Sequence, residues 1–219
     1  MTDYFAVLGE ARRPWLEEEA LKERFLELAS RHHPDVAGKP ATGSSASPEA
    51  SPEGKGEADF AAINLAYQTL RDPRARLRHL LELERAREAG KAESGPKHQP
   101  PPEAINTLFA GMGTLRMKSD AFLKKRSAAS SSIARALLLP EQLALQEELE
   151  KWLAELETER QNNVVLLHSL DTLWLAGESH PQRTEVVAAL EQLVQLFGYL
   201  DKWIAQIREL LVKLQLLPE

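Results

Sequence analysis

The chain has no cysteine in 219 residues. Disulfides, thiolate metal ligands and cysteine nucleophiles are therefore excluded, and a reducing cytoplasmic compartment fits the composition. A basic excess is also missing: 33 acidic side chains stand against 27 basic ones, for a net charge of -6. That balance argues against a nucleic-acid module, which relies on overall basicity. No window reaches ~18 uninterrupted apolar residues, so no membrane span is expected. The opening "MTDYFAVLGE" lacks the basic region and apolar run of a signal peptide. Strand signals, meaning period-two alternation with β-branched enrichment, are nearly absent. No glycine-rich phosphate loop, nucleophile–base set or metal-ligand set is apparent, so neither an enzyme nor a cofactor is expected.

What the chain does have is apolar content, 43% of residues, arranged at helical spacing. Two low-complexity stretches interrupt it. Residues 37–58 are small, polar and rich in Pro, Gly and Ser, and read as a loop. Residues 90–102 end in three prolines and read as an extended linker. Before the linker the pattern predicts a short helix near Tyr4 to Leu8, stopped by Gly9, and a second from about Leu16 to His32. A third is expected over Asp59 to Leu70, ended by Asp72-Pro73, and a fourth from Arg74. Leu21, Phe25, Leu28 and His32 share one stripe, and Phe60, Ile63, Tyr67 and Leu70 another. The two stripes suit an antiparallel hairpin with Phe25 and Tyr67 in its interior.

At the mouth of that hairpin stands "RHHPDVAGKP". Adjacent histidines point in different directions and no third ligand has a usable spacing, which weakens a metal site. A His33/Asp35 catalytic pair lacks a nucleophile and a pocket. By itself the tripeptide reads as a helix stop followed by a turn, since the residue before a proline leaves the α region.

The surroundings are more specific. Asp3-Tyr4-Phe5…Leu8-Gly9, His33-Pro34-Asp35, Ile63-Asn64…Ala66-Tyr67…Leu70 and Asp72-Pro73…Arg76 occur in the order of the J-domain of Hsp70 co-chaperones, which residues 1–85 resemble. The resemblance implies binding to an ATP-loaded Hsp70 and stimulation of its hydrolysis through His33, Pro34 and Asp35. Pro34 would rigidify the turn, Asp35 would offer a carboxylate to a partner arginine, and His33 would bridge turn and partner. It also implies a basic contact face on the second helix, here Lys22, Arg24 and Arg31. Glu23, Leu26 and Glu27 interrupt that face, which lowers the expected electrostatic steering. The alternative for Arg24 and Arg31 is a solvated helix edge pairing with Glu27.

Beyond the linker every segment again reads helical. Val186, Leu190, Leu193, Phe197, Leu200, Ile204, Ile207, Leu211 and Leu214 form a heptad seam like that of a coiled coil. Upstream, Leu145, Leu149, Trp152 and Leu156 form a stripe on one helix. Ile105, Leu108, Met112, Leu115 and Phe122 form a stripe on another, and "NVVLLHSLDTLWLAG" reads as a separate shorter helix. An all-α protein is expected: a J-domain hairpin over 1–89, the linker 90–102, and an antiparallel helical bundle over 103–219 that binds a client or braces the J-domain. "LLPEQLALQEEL" and "FGYLDKWIAQIRELLVKL" resemble segments of the HscB-type co-chaperones of iron–sulfur cluster assembly. On that resemblance Leu139, Leu143, Glu147 and Tyr199 fall where the family binds its cluster scaffold protein. For Leu139, Leu143 and Tyr199 the alternative is bundle core; for the whole chain the alternatives are an adaptor that brings Hsp70 to an unrelated client or to a helical partner, and an enzyme using His33 and Asp35.

Overall fold

Asp3 lies in extended backbone, and its carboxylate accepts from the N–H groups of Phe5 and Ala6, which satisfies donors that a helix start leaves open. The computed structural model describes residues 1–32, 53–89, 104–176 and 180–215 and begins with this helix, α1 (Tyr4–Leu8). Gly9 closes it at φ 70°, a left-handed conformation that costs glycine nothing. There follow α2 (Glu18–Arg31), α3 (Glu53–Arg71), α4 (Pro73–Ala89), α5 (Ala104–Ala128), the short α6 (Ser132–Ala136), α7 (Leu139–Ala176) and α8 (His180–Gln215). No strand occurs among the described residues, and among them no helix is long and apolar enough to cross a membrane. The fold class is all-α.

α1 matches its expected span. α3 starts earlier than the stripe predicts, at Glu53 inside the 37–58 stretch; once a helix is nucleated, added residues each gain a hydrogen bond at low cost. A larger difference is α7, where two expected helices are one of 38 residues. Asn162-Asn163 resembles a break, but the Asn163 amide donates to the Glu159 carbonyl at 2.7 Å and the Glu159 carboxylate at 3.0 Å. Its polar group is thus satisfied along the helix, and no proline or glycine forces a stop.

The contacts divide the chain into two units. Met1–Pro96 group with Leu167–Glu191, and Lys97–Leu166 group with Gln192–Glu219. In this division the C-terminal part of α7 and the start of α8 group with the N-terminal helices, not with the rest of residues 103–219. The linker itself lies outside the described residues.

In the first unit α3 packs on α1, α2 and α4. α2 and α3 run antiparallel: Phe25 stacks on Tyr67 with centroids 4.2 Å apart, and His32 faces Asp59 at 3.7 Å. Phe25 and Tyr67 are only half-buried. The interior is filled instead by Phe5, Leu8, Leu21, Ile63, Ala66, Leu70, Leu77 and Leu80, because α1 lies against α3. Arg76 is buried too, donating to the carbonyls of Pro14 at 2.8 Å and Leu70 at 2.7 Å. Burial pushes its pKa down to about 10, well above neutral pH, so it stays charged.

His79 also sits in this interior. The Tyr4 N–H donates to its Nε2 at 3.0 Å, and the rings of Tyr4 and Phe5 lie 4.5 and 5.8 Å away. Burial is the main force lowering its pKa below the ordinary 6.5; Arg12 adds to the shift, and Asp3 and Glu82 oppose it. A lowered folded pKa means the unfolded chain binds the proton more readily. The contribution is therefore complete above about pH 6.5 and is lost as pH falls from there through the folded pKa. Urea midpoints measured on either side of pH 6.5 are expected to drop on the acid side in the wild type. In His79→Gln, whose side-chain oxygen can accept from Tyr4, the drop should be smaller; an equal drop would assign the effect to other groups.

The connection from α1 to α2 is held by the C-terminal part of α7. Asp171, 2% exposed, accepts from Arg13 through both oxygens and from the Trp15 N–H at 3.0 Å. Trp174 Nε1 donates to the Arg12 carbonyl at 3.0 Å. Arg183 lies over the Trp174 ring, donates to the Trp174 carbonyl and reaches Glu84.

The second unit is a three-helix bundle. Lys118 pairs with Glu148 and Lys125 with Glu141, so α5 and α7 run antiparallel. Gln142 donates to the Leu214 carbonyl, and Arg160 pairs with Asp201, so α7 and α8 are antiparallel as well. Across both units the heptad seam of α8 is buried at every position except the half-buried Leu211.

Gly111 on α5 faces Trp152 so closely that an added Cβ would overlap the indole ring, whereas a Cβ at Gly113 would meet nothing within 4 Å. Gly111→Ala should destabilise the protein by about 1–3 kcal/mol through overpacking. Gly113→Ala should stabilise it by up to ~1 kcal/mol through helix propensity. Thermal melts that shift in the same direction for both would contradict this packing.

Candidate functional site

α2 ends at Arg31. His32 closes it with φ -105° and ψ 10°, and its N–H donates to the Leu28 carbonyl at 3.1 Å. His33, Pro34 and Asp35 follow directly in sequence and lie outside the described residues.

The basic residues of α2 are all described. Arg24 donates Nε to the Leu8 carbonyl at 3.1 Å and Nη1 to Glu27 at 2.7 Å, and its guanidinium covers Gly9. It therefore braces the end of α1. Arg31 pairs with the same Glu27 at 2.6 Å. These two cations, Arg24 first, hold the Glu27 carboxyl below its usual pKa. The pairing with Glu27 given as the alternative for Arg24 and Arg31 is present, although Arg24 also turns back onto the Leu8 carbonyl. Lys22 is exposed, with Glu19 at 3.5 Å. Leu26, one turn beyond Lys22, is 56% exposed. Exposed pairs such as these contribute little to stability; what they do is cancel charge along the helix.

In the second unit Leu139 and Leu143 are 51% and 54% exposed. With exposed Glu147 they follow each other at intervals of four and so line one face of α7. Neither leucine is bundle core. Tyr199 is placed elsewhere. The Gln142–Leu214 and Arg160–Asp201 contacts fix the register of α7 against α8. Tyr199 therefore stands near the turn of Arg160, about 27 Å along the helix from Gln142 at 1.5 Å per residue. It belongs to an aromatic cluster with Trp203 at 5.7 Å and Phe109 at 6.3 Å. The expected four-residue client site therefore separates into the Leu139–Leu143–Glu147 face and the Tyr199 cluster. Sequence reading missed Phe109, which is 57% exposed; the stripe pointed to its neighbour Leu108. The spacing of four between Tyr199 and Trp203 was the available signal.

Catalytic arrangements are not among the described features. A groove of about 490 Å³ between α7 and α8 is lined by Glu157, Arg160, Asp201 and Arg208. Its charges are already matched as Arg160–Asp201 and Arg208–Glu157, with no nucleophile beside a base. Among the described residues no group of three or more His, Asp or Glu could hold a metal ion.

No family model matches the chain. Among solved structures it is similar to the chaperone HscB from Vibrio cholerae, with a TM-score of 0.55 and 20% sequence identity. The match covers 97% of this chain and 99% of that one. At this identity the likeness is one of fold, an HscB-like all-α fold over nearly the whole length of both chains.

Proposed function

We propose that the chain is a co-chaperone of an Hsp70-family ATPase and is not itself an enzyme. The observation that carries this reading is the antiparallel α2–α3 pair with His33-Pro34-Asp35 in the sequence that joins them; the HscB-like fold supports it. On this reading the phosphoryl chemistry belongs to the partner. Asp35 presents a carboxylate to a guanidinium, a charge-assisted contact of high directionality, with Pro34 limiting the turn and His33 beside it. Lys22 and Arg31, which reach solvent, supply weak steering, while Arg24 serves mainly to position α1.

The second unit presents a protein client on the Leu139–Leu143–Glu147 face, and the client that the HscB-like fold favours is an iron–sulfur cluster scaffold. The chain has no cysteine, so the cluster would be held by the scaffold as cargo. Steady-state ATP hydrolysis by the Hsp70 of the same organism, with and without the chain, tests the first half; an unchanged rate removes the co-chaperone reading. Isothermal titration against the scaffold tests the second half. Leu143→Ala should weaken that binding by about 1–2 kcal/mol, as for a moderate hot spot, with an unchanged melting temperature. Tyr199→Ala should lower the melting temperature through loss of its ring contacts. No binding by the wild type would leave an adaptor for an unrelated client.

A further inference from the structure

α5 buries Leu115 and Phe122 against the bundle. On its opposite side Phe109, Gly113, Met117 and Ala121 are all exposed, Phe109 by 57% and Met117 by 68%. A Cβ added at Gly113 would meet nothing within 4 Å, so a socket is open beside the exposed methionine. The four residues recur at intervals of four and therefore form one ridge along the helix. Large and small side chains alternate on it: Phe, Gly, Met, Ala. Read backwards, that order is small against large at every step. An antiparallel copy of the ridge thus sets Phe109 on Ala121 and Met117 on Gly113, twice over, whereas a parallel copy in register sets ring on ring and leaves a gap at glycine. The charges make the same choice. α5 has no charged side chain before Arg116; after it stand Arg116, Lys118, Lys124, Lys125 and Arg126 against Asp120. Lys118 and Lys125 turn to Glu148 and Glu141 of α7, and Arg116 lies 3.9 Å from Asp120. Exposed Lys124 shares the outward side with the ridge, one turn beyond Ala121. A parallel copy would bring two Lys124 side chains together. An antiparallel one puts each beside the uncharged Asn106 of the other copy, which avoids that repulsion.

We propose that the Phe109–Gly113–Met117–Ala121 ridge is a self-association face, on which α5 of a second copy of this chain crosses antiparallel about a two-fold axis near Gly113 and Met117. The contact is isologous, so each copy supplies the same knobs and the same sockets. Ridges of the i, i+4 kind on both helices pack at a crossing angle of about -50°, so the two helices diverge from the centre and the cationic ends stay in solvent. One helix crossing engages far fewer than the roughly 20–30 residues a side of a standard interface. The dimer is therefore weak and depends on concentration. The face shares no residue with α2 or with the Leu139–Leu143–Glu147 face, so it stands or falls apart from the co-chaperone reading.

Sedimentation equilibrium of the full chain between roughly 10 and 500 μM is the test, a range suited to an interface of this size. The wild type should show a monomer–dimer equilibrium. Met117→Lys should raise the dissociation constant at least about tenfold, as for the loss of a central anchor. Gly113→Leu should do the same by filling the socket. In the monomer its side chain enters open space, so circular dichroism and the melting temperature at low concentration should not fall for either variant. The chain has no cysteine, so introduced thiols report the orientation. Gly113→Cys mixed with Met117→Cys should give the mixed disulfide in preference to either homodimer, because the antiparallel crossing sets these two positions together. A monomer over the whole range overturns the proposal and leaves the ridge to a helix of another protein. A dimer that Met117→Lys and Gly113→Leu both leave intact assigns the contact to a different face. Homodimeric disulfides in excess of the mixed one overturn the antiparallel pairing.

Discussion

Asp35→Asn is expected to return the partner's ATP hydrolysis to its unstimulated rate. The substitution preserves shape and removes charge. A carboxylate–guanidinium contact across an interface depends on that charge, and truncating one partner of such a pair typically costs about 2–5 kcal/mol. The low end of that range already weakens binding about 30-fold, at 1.4 kcal/mol per factor of ten. His33→Gln is expected to have the same outcome. The helix before the motif should be unaffected, because α2 ends on a backbone hydrogen bond from His32 to Leu28. Far-ultraviolet circular dichroism and the melting temperature should therefore match the parent. Steady-state turnover with increasing co-chaperone is the measurement, and undiminished stimulation by both folded variants would sink the assignment.

Asp171→Ala is expected to destabilise the first unit by about 3 kcal/mol, the lower end for breaking a buried ion pair. Its carboxylate is buried and serves three donors, two on Arg13 and the Trp15 N–H. The hydrogen bond to Asp171 is also the main force raising the Arg13 pKa. The lower end applies because the Arg13 side chain is 34% exposed and can recover hydration, whereas the Trp15 N–H loses its acceptor. Asp171→Asn should cost less, since one oxygen remains for Trp15. A fragment of residues 1–89 lacks Asp171 and Trp174 altogether and should unfold at lower urea than the first unit does in the full chain. Equal urea midpoints for Asp171→Ala and the parent would show that the α1–α2 connection does not depend on this carboxylate.

The helices were legible in the residues wherever local signals agreed. Gly9 marked the end of α1 because left-handed backbone is a property of a single residue. Leu21 and Leu70 were recognised as interior from spacing alone. Phe25 and Tyr67 were placed deeper than they are because the stripe cannot show that α1, carrying Phe5, takes the interior. The separate helix expected over "NVVLLHSLDTLWLAG" runs on from the one before it, where the Asn163 amide bonds back to Glu159. At the candidate site the pairing of Arg24 and Arg31 with Glu27 was readable as spacings of three and four on one helix. The separation of Tyr199 from Leu139 and Leu143 was not, because it depends on the register of α7 against α8.

The sequence by itself determined that the chain is helical, where α1, α2 and α4 start and stop to within about two residues, which faces are apolar, and that no thiol chemistry is available. These follow from backbone preference and periodicity, which act over a few residues. Tertiary structure alone decided that residues 167–191 belong with the N-terminal helices and that Arg13 meets Asp171 across 158 positions. It also decided that Leu139 and Leu143 stay exposed while the α8 seam closes. An apolar stripe specifies that a face must be covered, since burial is rewarded by area and not by identity. Which neighbour covers it, and which charges then meet, depends on the packing of all the helices together.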